Sequence, residues 1–137
     1  MKVIPIKAQA GITGFESPAA EYRELGLSLD QLLVRHPNAT FIGLASGDSM
    51  QGVGIFDGDL LVVDRAVQPQ QNDVIVANFN NEFVCKLIDM ENRLLRSASP
   101  IYSPVRISDC DNFQLEGVVI GSVRMHRSNS ELTKCMH

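Results

Sequence analysis

The sequence predicts a mainly β protein: a curled, partly closed, barrel-like sheet with an extended N-terminal arm and one short helix. Three observations carry this. Short apolar or alternating runs recur from Thr40 onward, the pattern of strands. Turn signals built from Gly, Asp, Asn and Pro separate them. Helical periodicity is confined to one stretch. At 137 residues the chain can bury one core without disulfides or metals. The expected division is an arm over residues 1–27, a folded domain over 28–127 and a polar, frayed tail over 128–137.

Met1–Leu27 is rich in Gly, Pro and Ala and lacks strand or helix periodicity, so it reads as an arm. Within it, Ser17-Pro18-Ala19-Ala20-Glu21 can start a helical turn that Gly26 stops. Ser28–Pro37 is the one clear helix. Ser28 with Gln31 forms a capping box, Leu29, Leu32 and Leu33 share a face, and Pro37 ends the run. Strands are expected at Thr40–Leu44, Leu60–Val63, Asp73–Ala77, Glu82–Ile88, Leu94–Ser97 and Gln114–Met125. Turns fall at Gly47-Asp48, Asp57-Gly58, Gln68-Pro69, Asn80-Asn81 and Ser103-Pro104. Asn80-Asn81 is the expected tip of a tight hairpin. Strands this short and numerous suit a curled sheet.

Composition excludes several classes. Hydrophobic residues make up 45% of the chain and charged residues 20%, which is neither disordered nor membrane-like. Trp is absent, so the core rests on Val, Leu and Ile. Twelve basic against 16 acidic residues give a net charge of −4, and no Lys/Arg run is present. The chain is therefore a poor binder of nucleic acid by itself, and no direct sequence-specific DNA binding is expected. The apolar runs near Leu60–Val63 and Gly117–Val123 fall far below the roughly 18 residues of a membrane span. The N-terminus lacks the apolar core of a secretory signal. Cys85, Cys110 and Cys135 are widely spaced and form no zinc pattern, so a reducing cytoplasm is the expected compartment.

Two segments can carry chemistry. Ala45-Ser46-Gly47-Asp48-Ser49-Met50 is a small-residue turn after a strand. It can present the Ser49 hydroxyl beside backbone N–H groups, as an oxyanion hole requires; it can also be an ordinary turn. A nucleophilic Ser needs a base. His36, His126 and His137 are poorly placed by sequence for that role. Lysine is the other choice, useless at its ordinary pKa near 10.4 unless desolvated. In Glu82–Ile88, alternation puts Phe83, Cys85 and Leu87 on one face and Val84, Lys86 and Ile88 on the other. Lys86 lies between two β-branched apolar residues, and burial there would push it toward neutrality. The other reading is a surface Lys that snorkels out. Asp57 and Asp59 read as turn chemistry rather than a cation loop. Phe56 reads as core, and Asp64 beside Arg65 as a solvated strand end.

At these residues the chain resembles the LexA/UmuD family of self-cleaving serine peptidases. The motifs are Ala45–Met50, Asp57–Asp64 and Glu82–Leu87, followed by Gly117-Val118-Val119. Gly14–Tyr22, Leu29–Leu33, His36–Thr40 and Tyr102-Ser103-Pro104 resemble the family's mutagenesis-accessory, UmuD-like branch. So does the short stretch ahead of Gly14, since a repressor carries a helix-turn-helix domain there. The resemblance implies that Ser49 is the nucleophile and Lys86 the general base. Backbone N–H groups of Asp48, Ser49 and Met50 would form the oxyanion hole. It implies no cofactor and no metal. The family cuts before a Gly and after a small residue. In register, that bond is Thr13–Gly14, although Thr13 is β-branched and larger than usual. Ala10–Gly11 has the better pair but lies three positions out of register. The implied partners are a second copy of the chain, a RecA filament on single-stranded DNA, and a UmuC-like Y-family DNA polymerase in the SOS response. Two alternatives stay open: a non-catalytic dimeric β module acting on polymerase or recombinase, and a trans-acting protease or repressor-like regulator.

Overall fold

The computed structural model describes residues 28–127 and 130–135. The expected arm, with its helical turn at Ser17–Glu21 and both candidate bonds at Thr13–Gly14 and Ala10–Gly11, lies outside them. The chain divides between Arg35 and His36 into two compact units.

In the first unit, helix α1 spans Leu29–Leu33. The capping box is present: Ser28 Oγ accepts from the Gln31 N–H at 3.1 Å, and Gln31 Oε1 accepts from the Ser28 N–H at 2.8 Å. The helix stops earlier than expected, with Val34 extended. Val34 is β-branched, and Pro37 disfavours helical backbone at the residue ahead of it.

The second unit is built on seven strands: β1 Thr40–Leu44, β2 Leu60–Asp64, β3 Val74–Phe79, β4 Glu82–Asp89, β5 Leu94–Arg96, β6 Val105–Arg106 and β7 Phe113–Val123. They form one sheet in the order β1-β2-β7-β3-β4-β5-β6. Every strand pairing among the described residues is antiparallel, and among the described strands β1 and β6 lie at the two ends of the sheet. Asn80 and Asn81 both take positive φ, the geometry a two-residue hairpin needs, and Phe79 faces Glu82 across the turn. Register shifts at Val62/Val63 and Val76/Ala77 mark bulges where β7 meets β2 and β3. Bulges bend strands and deepen twist, which curls the sheet.

Alternation sends β3 and β4 residues into two cores. Ile75, Ala77 and Ile88 join Leu95, Ile107 and Val118, with Val84 packed against them. Val74, Val76, Cys85 and Leu87 pack against Ala45, Met50, Ile55, Leu61 and Val63. Six expected strands are present, with ends shifted by a few residues. β6 was not expected; two residues are too few to show a period. The tail, expected to be frayed, forms helix α2 over Ser130–Cys135. Its Ser-Glu start suits a helix N-terminus. No helix among the described residues is long and apolar enough to cross a membrane.

Two expectations are overturned. Asp64 is not solvated: it is fully buried, 2.7 Å from His36 Nδ1, and accepts the Ala66 N–H at 2.8 Å. The partners at positions 36 and 66 satisfy a carboxylate that burial would otherwise penalise. Phe56 is not core: it is exposed, and the Arg124 guanidinium lies 4.1 Å above its ring. Stacking on a cation occupies the face that core packing would have covered.

Candidate active site

The turn that carries Ser49 is held by hydrogen bonds to a neighbouring segment. Ala45 N–H donates to Asp59 C=O at 2.9 Å, and Gly58 N–H to Ala45 C=O at 2.8 Å. These bonds continue the β1–β2 ladder past Leu44 and Leu60. Gly47 N–H then donates to Asp57 Oδ1 at 2.8 Å. Asp57 is thus turn chemistry, as expected, and it fixes the start of the Ser49 turn. Beneath, Arg124 grips the buried Asp59 with Nε and Nη2 at 2.8 and 2.9 Å, while Asp59 also accepts the Phe56 N–H. The guanidinium bond holds the Asp59 carboxyl below its ordinary range despite burial.

A third segment closes on the turn. Ala98 N–H donates to Ser49 C=O at 2.7 Å, and Gly52 N–H to Ala98 C=O at 2.7 Å. Gly52 is required here: a Cβ would stand 2.5 Å from the Ala98 oxygen. Among the described residues, the backbone N–H groups of Asp48, Ser49 and Met50 donate no hydrogen bond.

Lys86 arrives from the sheet. On β4 it pairs with the buried Ile75 of β3. Its Nζ donates to Ser49 Oγ at 3.0 Å and to Ser97 Oγ at 2.8 Å. Burial pulls Lys86 below the ordinary lysine range, and Cys85 opposes this in part. Burial pushes the Cys85 thiol up to about 11, so it stays protonated at neutral pH. The structure thus brings Ser49 and Lys86 together across 37 positions of sequence. His36 is bound to Asp64 instead.

Ser97 was not singled out from the sequence. Its signal is positional: the β4–β5 register pairs Leu87 with Arg96, so the next step sets Ser97 opposite Lys86. Tyr102 was also missed as a site residue. Its hydroxyl donates to Asp48 Oδ1, and its ring centre lies 5.7 Å from Lys86 Nζ.

A cavity of about 200 Å³ opens at the pair, lined by Ala45–Gly47, Ser49, Met50, Ile55 and Glu82–Lys86. A second, of about 300 Å³ and mostly apolar, shares Ala45, Ser46 and Phe83–Cys85 with it and continues to Phe41 and Leu61. Glu82–Lys86 pair with β3 alone among the described residues, because β5 reaches only Leu87–Asp89. Among the described residues, the cavity is therefore bordered by a strand edge with no second partner strand, the kind of feature that accepts an extended peptide as an added strand. A hydroxyl, an amine with a lowered pKa, free N–H donors and a strand edge together suit attack on a peptide carbonyl.

Comparison with known proteins points to a peptidase family. The model of the peptidase S24-like family matches residues 2–120. Protein ImpA of Escherichia coli is 40% identical over 127 residues, covering 90% of this chain and 82% of its own. Protein SamA of Salmonella typhimurium is 37% identical over 125 residues, covering 90% and 87%. The LexA repressor of Syntrophotalea carbinolica is 40% identical over 90 residues, covering 64% of this chain and 45% of its own.

Proposed function

The chain belongs to the peptidase S24-like family, and from that premise we propose that it is a UmuD-like, self-cleaving serine peptidase of SOS mutagenesis. The observation that carries this reading is the 3.0 Å contact of Lys86 Nζ with Ser49 Oγ, beside a strand edge that no described strand covers. Neutral Lys86 takes the Ser49 hydroxyl proton as Oγ attacks the carbonyl carbon ahead of a Gly. The oxyanion is met by N–H groups of Asp48, Ser49 and Met50. Collapse breaks the C–N bond, and the Lys86 proton goes to the departing Gly amine. Lys86 then deprotonates a water that hydrolyses the acyl ester. The ester's carbonyl side leaves as a carboxylic acid, and Ser49 Oγ is re-protonated.

The bond cut is Thr13–Gly14, with Ala10–Gly11 as the alternative. The arm 1–27 is the substrate, the domain 28–127 the peptidase, and 128–137 a polar tail. A RecA filament on single-stranded DNA favours the arm-docked state with Lys86 neutral, a population shift rather than new chemistry. The shortened chain acts in the cytoplasm as a homodimer that joins a UmuC-like Y-family polymerase. The similarity to ImpA and SamA supports this branch over a repressor, since those alignments run nearly end to end.

The test is the intact mass of the purified chain after incubation with RecA, single-stranded DNA and a slowly hydrolysed ATP analogue. Loss of Met1–Thr13 or Met1–Ala10 in wild type, and not in Ser49→Ala, is expected, and the mass chooses the bond. An intact chain, with RecA active on a control substrate, would instead favour the non-catalytic interaction module.

A further inference from the structure

We propose that Tyr102 is a positioning residue that holds the Asp48 carboxylate away from Lys86, leaving the base without a carboxylate partner. The inference rests on the reading of Lys86 as the base. It starts from a conflict in the sequence. Asp48 directly precedes Ser49, whose Oγ touches Lys86 Nζ. A carboxylate within about 4–6 Å of an amine favours the ammonium form, which cannot take a proton.

The groups around Lys86 can be named element by element. Its own strand supplies Cys85, and Glu82 lines the same cavity. β3 supplies the uncharged Ile75. The nucleophile's turn supplies Ser49 and Asp48. The segment after β5 supplies Ser97 and Tyr102, while Arg96 is committed to Asp89. Both hydrogen bonds of Lys86 go to neutral hydroxyls. Asp48 takes the Tyr102 hydroxyl instead. The Asp48 bond makes the Tyr102 phenol harder to ionise, so it remains a donor across the neutral range.

Tyr102 does not arrive by chance. Its segment is fastened to the nucleophile's turn by the Ala98–Ser49 and Gly52–Ala98 backbone bonds. Tyr102 N–H closes a turn on Ser99 C=O at 3.3 Å, and Pro100 within it fixes one φ. One segment thus brings a hydroxyl to Lys86 from Ser97 and removes a carboxylate from it through Tyr102.

The test reads the protonation of Lys86 directly. The chain has four lysines, Lys2, Lys7, Lys86 and Lys134, so the ε-carbon signal of Lys86 can be assigned by its loss in Lys86→Met. The titration is run in the uncleavable Ser49→Ala chain. Tyr102→Phe keeps the ring and removes the hydroxyl. It is expected to raise the Lys86 midpoint by about one pH unit or more, and adding Asp48→Asn should return it. In the cleavable chain, Tyr102→Phe should slow self-cleavage about tenfold near neutral pH and less on the alkaline plateau. A midpoint unmoved by Tyr102→Phe, or moved but not returned by Asp48→Asn, overturns the inference. The midpoint needs no cleavage. A chain whose midpoint moves as stated but which never cuts itself would sink the base assignment and leave the role of Tyr102 standing.

Discussion

Ser49 and Lys86 reach each other from opposite kinds of structure. Lys86 lies within a sheet: the β3–β4 register sets it against Ile75, and many backbone bonds share the task. Ser49 lies on an irregular turn that has no ladder of its own. Its place depends on a few bonds borrowed from the 57–59 segment, from Arg124 and from Ala98. Lys86 is held by repetition and Ser49 by individual contacts. Single changes away from the pair should therefore displace Ser49 more than Lys86.

The largest break comes from removing the Lys86 amine. Lys86→Ala should lower self-cleavage by at least about 10³-fold, followed as a gel time course, with no recovery at high pH. Next is Gly52→Ala, which puts a Cβ 2.5 Å from the Ala98 oxygen and must push the third segment off the turn. Cleavage should fall about 10²-fold, the scale of an ångström-sized misplacement. Stability should fall by only about 1–3 kcal/mol, as in other overpacked sites. A Gly52→Ala chain that cleaves normally would show that the borrowed bonds do not place Ser49.

Asp59→Asn tests the support beneath the turn. The pair is half covered, with Arg124 partly exposed, so the loss should be roughly 2–3 kcal/mol, below that of a fully buried pair. The Asp59 carboxyl is held below its ordinary range, so its contribution is present above pH ~4. That contribution fades as pH falls through the lowered value. The gap between wild type and variant in urea unfolding should thus narrow in acid. The smallest change is Ser97→Ala, which removes one of two hydrogen bonds orienting Lys86. A loss of about 1 kcal/mol, or roughly fivefold in rate on the alkaline plateau, is expected.

The same contrast explains what could be read in the sequence. The strand that carries Lys86 was legible because alternation in Glu82–Ile88 is a local signal with a fixed period. Val84 and Ile88 do enter one core and Cys85 and Leu87 the other. β1 and the Asn80-Asn81 hairpin were legible for similar reasons. The long-range side-chain pairs, those around the Ser49 turn among them, were not. Tyr102 meets Asp48 across 54 positions, Arg124 meets Asp59 across 65, and His36 meets Asp64 across 28. No neighbouring residue announces such pairs. Asp64 looked solvated because Arg65 stands beside it, yet Arg65 turns to Glu116. Ser97 could be found only after the β4–β5 register was known.

The most direct test of the account is the first-order rate of self-cleavage across pH, read by intact mass for wild type, Ser49→Ala and Lys86→Ala. Deprotonation makes Lys86 a base, so the wild-type rate should rise with pH through an inflexion below the ordinary lysine value near 10.4. Both variants should stay flat at the uncatalysed level. A Lys86→Ala chain that cleaves like wild type at any pH, or a wild-type rate indifferent to pH, would contradict it.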